Sequence, residues 1–141
     1  MADRNASATW HGDLFGGNGT VSALSSGLFT DADVTWAART EESEGRTSPE
    51  ELIAAAHAAC FGMALSNELS TRGHAPERLQ LEATCAFEGG KVTTMVLRVD
   101  ADVPGVDENG FREALSAAED SCPVSNALRG NVEIRVDGRL T

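Results

Sequence analysis

Apolar and polar residues alternate with a period of two in four stretches of the chain: Thr20–Ser25, Leu79–Phe87, Val92–Val103 and Val132–Leu140. Each predicts a strand with one face on a core. Glu88-Gly89-Gly90-Lys91 lies between the second and third stretches and has the composition of a tight turn, so these two form a hairpin. Near the start, residues 6 to 13 have a β-prone centre at Thr9-Trp10, and Gly16-Gly17-Asn18-Gly19 supplies a turn to the strand beginning at Thr20. An N-terminal hairpin over about residues 6–25 follows. A weaker third strand is expected over Val34–Arg39, followed by a polar loop from Thr40 to Thr47.

The pattern changes at Ser48. Ser48 and Glu51 have capping-box spacing, and Pro49 falls at the first helical position, where its missing N–H costs nothing. Alanines then fill positions 54 to 59, interrupted only by His57, before Cys60. The helix continues to about residue 72 and stops at Gly73, a length of about 24 residues or roughly 36 Å. Its near absence of side-chain bulk predicts a central, buried helix that neighbouring backbone can approach closely. Asp107 caps a later helix with Phe111, Ala114, Leu115 and Ala118 at helical spacing, and Pro123 opens a short one with Cys122 at or beside its N-cap. Three strands, a long helix, two strands, two helices and a strand make an α+β pattern, expected as one domain over residues 1–141.

Charge narrows the partners. With 22 acidic and 11 basic residues the formal charge is -11, which repels phosphate backbones and anionic lipid. Neither nucleic acid nor a membrane surface is expected as a partner. The longest apolar stretch, Leu52–Leu65, reads as too short and too alanine-rich to span a membrane, and the first residues lack a signal-peptide core. A cytoplasmic location is the resulting expectation, and there the cysteines are thiols rather than structural disulfides.

Those thiols are Cys60, Cys85 and Cys122. Cys85 shares a strand face with Leu79, Leu81, Ala83 and Phe87 and reads as a small buried side chain. Cys122 lies where helix-start amides favour an anion. Cys60 lies within its helix and needs help from another group if it is to be a nucleophile. His57, one turn earlier, either supplies that help or satisfies a local hydrogen bond. Glu50 precedes Cys60 by ten positions, about 15 Å along a helix and on a different face, so on a straight helix it cannot touch the thiol of its own chain, and its simplest role is to complement the helix dipole.

Ser48-Pro49-Glu50-Glu51-Leu52, His57-Ala58-Ala59-Cys60-Phe61, Val103-Pro104-Gly105-Val106-Asp107 and Cys122-Pro123-Val124-Ser125-Asn126-Ala127-Leu128 occur in that order. Together they resemble the landmarks of the OsmC/Ohr family, the osmotically inducible and organic-hydroperoxide-resistance proteins. Trp10-His11-Gly12-Asp13 and Gly19-Thr20-Val21 resemble its OsmC branch. The resemblance implies antiparallel sheets around a long central helix, in an intertwined homodimer with two sites at the subunit interface. It implies a thiol peroxidase that reduces organic hydroperoxides, and hydrogen peroxide more weakly, to alcohols. Cys60 matches the peroxidatic cysteine, Cys122 the resolving one, and Glu50 the glutamate that holds an arginine near the thiolate. Arg39 fits the arginine position, with Arg46 in reserve. No bound metal, haem or flavin is implied; an external dithiol, a lipoyl group on a carrier protein, is the implied reductant.

Two rival readings use the same residues. Cys60, Cys122 and His57 offer three soft or borderline metal ligands, without an evident fourth. Alternatively, a non-catalytic dimer could bind hydrophobic ligands in an apolar cleft, with both thiols merely buried.

Overall fold

A computed structural model describes residues 1–141 of the chain, which divides into two compact units, Met1–Leu52 and Ile53–Thr141. In the first, β1 (Ala6–His11), β2 (Asn18–Ala23) and β3 (Ala32–Val34) form an antiparallel sheet in that order. The β1–β2 turn is tied by Asp13, whose carboxylate accepts from the Gly16 amide at 2.7 Å and whose carbonyl accepts from Gly17 at 3.0 Å. The Trp10 indole also donates into this turn, to the carbonyls of Gly12 and Asp13. Trp10 lies directly opposite Gly19 in the register. A β-carbon at Gly19 would stand 2.6 Å from the Trp10 ring and 2.7 Å from the Thr9 carbonyl, so only glycine lets the indole lie over the neighbouring strand.

The expected third strand is shorter than its apolar pattern suggested. It ends at Val34, and Trp36–Thr40 forms a single-turn helix, α1. Thr35 is the cause: it stays extended, and its hydroxyl accepts from the Ala38 amide at 3.0 Å, satisfying a helix-start donor. The chain then returns to β3, where Val34 bridges Thr47 and the Thr47 amide donates to Asp33.

Helix α2 spans Pro49–Thr71. Its start uses half of the expected capping box. The Glu51 amide donates to the Ser48 hydroxyl at 3.2 Å, but the Glu51 carboxylate accepts from the Thr47 hydroxyl at 2.7 Å. Its end is closed by Gly73 at φ +86°, with the His74 amide reaching back to the Leu69 carbonyl at 2.9 Å.

In the second unit β4 (Arg78–Glu88), β5 (Lys91–Asp102) and β6 (Glu133–Leu140) form one sheet with β5 central. Gly89 and Gly90, both at positive φ, make the β4–β5 hairpin turn. β6 pairs parallel to β5, with Met95 opposite Ile134, so this sheet is mixed where antiparallel pairing was expected throughout. Parallel pairing requires a crossover, which α3 (Glu108–Ser121) and α4 (Pro123–Leu128) provide. The core of the unit joins Phe61, Leu65 and Leu69 of α2 with Leu97, Val99 and Ala101 of β5 and Phe111, Ala114 and Ala118 of α3. The apolar face of β4, Cys85 included, is half-buried rather than fully enclosed.

α2 is less enclosed than its composition suggested. Phe61, Leu65 and Leu69 are fully buried, but Ala55, Ala56, Ala59 and Met63 lie exposed, Met63 by 73%. With 23 residues and a mean hydropathy of 1.2 over its most apolar window, α2 also meets the length and composition of a spanning helix, contrary to the reading of Leu52–Leu65 alone. The buried Phe61–Leu65–Leu69 stripe is that of a core helix.

Replacing Gly19 by alanine is expected to lower stability by about 1–3 kcal/mol through overpacking against Trp10 and the Thr9 carbonyl. Urea unfolding followed by tryptophan fluorescence measures it; an unchanged midpoint would show that the hairpin absorbs the β-carbon.

Candidate functional site

In the first unit α1 and the start of α2 bring Arg39 and Glu50 together. The Arg39 Nε and Nη2 atoms both lie 2.8 Å from the same oxygen, Glu50 Oε1. Glu50 is buried, with only 5% of its surface exposed, and its Oε2 has no hydrogen-bond partner. This is a fork closed on one oxygen rather than the expected pairing of two nitrogens with two oxygens. The Arg39 guanidinium also stands 5.8 Å from the centre of the Trp36 ring, within cation–π range. Phe15 packs edge-on against the same ring at 5.6 Å. Arg46 is elsewhere, 3.7 Å from Glu44 on an exposed surface. A cavity of about 420 Å³ opens beside Arg39, walled mainly by Trp10, Leu14, Val34, Trp36 and Leu52.

In the second unit the middle of α2 and the α3–α4 junction bring Cys60 and Cys122 to one core: Cys60 packs against the buried cluster that contains Cys122, and each thiol shifts the other's pKa. Both are free thiols; Cys122 is fully buried and Cys60 half-buried. Cys122 caps α4, its sulfur accepting from the Ser125 amide at 3.5 Å. Burial pushes the Cys122 thiol up, but the Ser125 hydroxyl and amide, the Cys60 thiol and the Val124 amide outweigh it, and the net shift is down. For Cys60 burial dominates; the Val124 amide opposes it, the Cys122 contact adds to it, and the thiol is pushed up.

His57 is fully buried and does not serve as a cation beside Cys60. Its Nε2 lies 2.7 Å from the Ser125 hydroxyl, and burial lowers its pKa, so the ring is neutral near pH 7. Its Nδ1 has no partner. Ser125 is the residue that sequence reasoning missed. It could have been found from Cys122-Pro123-Val124-Ser125, where a sulfur at the N-cap faces a hydroxyl residue three positions on, the spacing of a reciprocal cap. No group of three or more His, Cys, Asp or Glu side chains converges as metal ligands, so the arrangement of three ligands proposed for a metal is not formed.

The comparisons give the class of a chain with this α+β fold and a thiol on its long helix. The family model described as OsmC-like protein matches residues 40–137, and the chain belongs to this family. It is 38% identical to peroxiredoxin OsmC of Escherichia coli, over 97% of this chain and 96% of that protein. It is 30% identical to organic hydroperoxide resistance protein OhrB of Bacillus subtilis, over 76% of this chain and 80% of that one. The crystal structure of an organic hydroperoxide resistance protein from Elizabethkingia anophelis superposes with a TM-score of 0.76 at 25% identity, covering 100% of this chain and 98% of that one.

The buried His57 has a pH signature. Its folded-state pKa lies below the usual value of 6.5, so the unfolded chain takes up a proton first as the pH falls. The stability it contributes is present above about pH 6.5 and is lost below it. Urea midpoints of wild type and His57→Gln are expected to converge between about pH 7.5 and pH 5; a constant gap would mean that the imidazole titrates alike in both states.

Proposed function

We propose that the protein is a cysteine peroxidase that reduces organic hydroperoxides to alcohols through a sulfenic acid on Cys60 and a Cys60–Cys122 disulfide. The observation that carries this reading is the packing of Cys60 against the buried cluster of the second unit that contains Cys122. The Cys60 thiolate attacks one peroxide oxygen, the O–O bond breaks, and the alkoxide takes a proton and leaves as alcohol. Cys60 then carries –OH on sulfur; Cys122 displaces it, forming the S–S bond and releasing water. An external dithiol, for which we propose a lipoyl group on a carrier protein, returns both thiols and is itself oxidised to a disulfide.

The pKa order within one chain leaves Cys60 in need of a cation, and Arg39 held by buried Glu50 is the cation of suitable chemistry. Glu50 and Cys60 stand ten residues apart on one straight helix, about 15 Å, so we assign the Arg39–Glu50 pair to the Cys60 of a second copy. The exposed apolar residues Phe15, Leu28 and Met63, open by 76, 82 and 73%, support a homodimer that covers them. The apolar cavity beside Arg39 suits the organic part of a hydroperoxide, with Trp10 and Trp36 setting its width. We place this chemistry in the cytoplasm, where dithiol reductants are available.

Cys60→Ser is expected to abolish consumption of cumene hydroperoxide by the dithiol-reduced protein, whereas Cys122→Ser is expected to consume one equivalent and hold a sulfenic acid detectable by intact mass. Turnover in the first variant, or no oxidised adduct in the second, would contradict the assignment.

Arg39→Gln is expected to lower kcat/KM by about 10²-fold, the scale of losing one preorganised electrostatic donor. Mixed with Cys60→Ser chains, it should regain activity, because each mixed dimer then holds one intact Cys60 facing one intact Arg39. No recovery after subunit exchange would place Arg39 and Cys60 of one chain in the same site.

A further inference from the structure

We propose that His57 and Ser125 form a buried donor relay that keeps the Cys122 sulfur in the accepting role, and thereby governs the step in which Cys122 closes on an oxidised Cys60. The relay rests on the peroxidase reading above and assigns to the resolving thiol two positioning residues.

The direction of the relay follows from the orphaned ring nitrogen. His57 is fully buried, Nε2 faces the Ser125 hydroxyl at 2.7 Å, and Nδ1 faces no partner. A neutral ring carries one proton. On Nδ1 it would leave a buried N–H without an acceptor; on Nε2 it is hydrogen-bonded, and only a lone pair is left over. The proton therefore sits on Nε2 and is donated to Ser125 Oγ. Having accepted there, the hydroxyl keeps its own proton to direct toward Cys122, whose sulfur the amide of the same residue reaches at 3.5 Å and whose ionised form the Ser125 hydroxyl favours. The Ser125 and Val124 amides are directed at the same sulfur. The groups facing Cys122 are thus Cys60 from α2 and Ser125 and Val124 from α4, with His57 acting through Ser125.

Such a sulfur is a nucleophile held in place. Once Cys60 is a sulfenic acid it no longer offers its thiol proton, and the remaining donors hold Cys122 beside it. Attack forms the S–S bond and breaks the S–O bond; the oxygen leaves as water, with the proton Cys122 lost on ionising. When a dithiol later attacks Cys60 in the disulfide, Cys122 is the leaving group, and the same donors stabilise it as it departs. Neither relay side chain touches the Cys60 sulfur, so the relay acts after the peroxide is consumed.

The test compares wild type, Ser125→Ala, Ser125→Thr, His57→Leu and His57→Gln in a single turnover with cumene hydroperoxide, trapping sulfenic acid with dimedone and following the disulfide by mass. Ser125→Ala and His57→Leu are expected to accumulate trapped Cys60 and to form the disulfide about threefold more slowly, the effect of raising a thiol pKa by one unit once the greater nucleophilicity of the more basic thiolate is counted. Threonine keeps the hydroxyl, and glutamine keeps an N–H at the reach of Nε2, so both are expected to stay near wild type. As a check that needs no peroxide, thiolate absorbance against pH in a Cys60→Ser, Cys85→Ser background is expected to shift upward on adding Ser125→Ala. Disulfide formation at the wild-type rate in Ser125→Ala overturns the relay. So does His57→Gln behaving as His57→Leu, which would point to a ring that accepts a proton instead of donating one. Wild-type protein that forms no Cys60–Cys122 disulfide overturns the peroxidase reading itself, and the relay falls with it.

Discussion

A single helix sets the spacing between a carboxylate in its first turn and a thiol in its middle. Glu50 and Cys60 are both on α2, ten residues apart, and no rotamer closes about 15 Å. Much of the chemistry assigned to this protein depends on that constraint. The first unit supplies a cation and an apolar cavity, the second a pair of thiols, and the proposed homodimer is the arrangement in which the rigid spacing becomes useful. Between the two positions, exposed Ala55, Ala56 and Ala59 leave room for the close approach of another backbone that the proposed homodimer would need.

The two thiols are differentiated by the direction of their hydrogen bonds more than by burial. Cys122 is the more deeply buried sulfur, yet its pKa is the one lowered, because hydroxyl and amide donors converge on it. Cys60 is half-exposed and its pKa is raised, since it loses solvation and faces one opposing amide. In the proposed mechanism Cys60 therefore relies on a cation to favour its thiolate. Under the proposed dimeric arrangement its activation depends on assembly, whereas the resolving thiol is prepared by its own chain.

Much of the fold was legible in the sequence because its signals are local. The Gly89-Gly90 turn, the Ser48-Pro49 start, the Gly73 stop and the Asp107 cap each act within a few residues, and each stands where it was read. The departures have equally physical causes. Trp36-Ala37-Ala38-Arg39 carries apolar residues that suit a strand, but the Thr35 hydroxyl satisfies a helix-start amide and wins over that weak preference. Parallel pairing of β6 could not be read from its alternation, because period two reports which face is buried and says nothing about strand direction.

The candidate site was legible to different depths. Cys60, Cys122, Glu50 and Arg39 stood out through motifs, and the structure adds that Arg39 rather than Arg46 meets Glu50. His57 was ambiguous in the sequence because helical spacing gives it Cys60 as a neighbour, one turn away. The hydrogen bond it makes lies across 68 positions of chain, to a serine that looked like an ordinary residue of a capping turn. Long-range pairing of buried polar groups leaves no local periodicity, only the requirement that each finds a partner. The unpaired Nδ1 then becomes informative: a buried lone pair costs less than a buried N–H without an acceptor, and the proposed relay takes its direction from that difference.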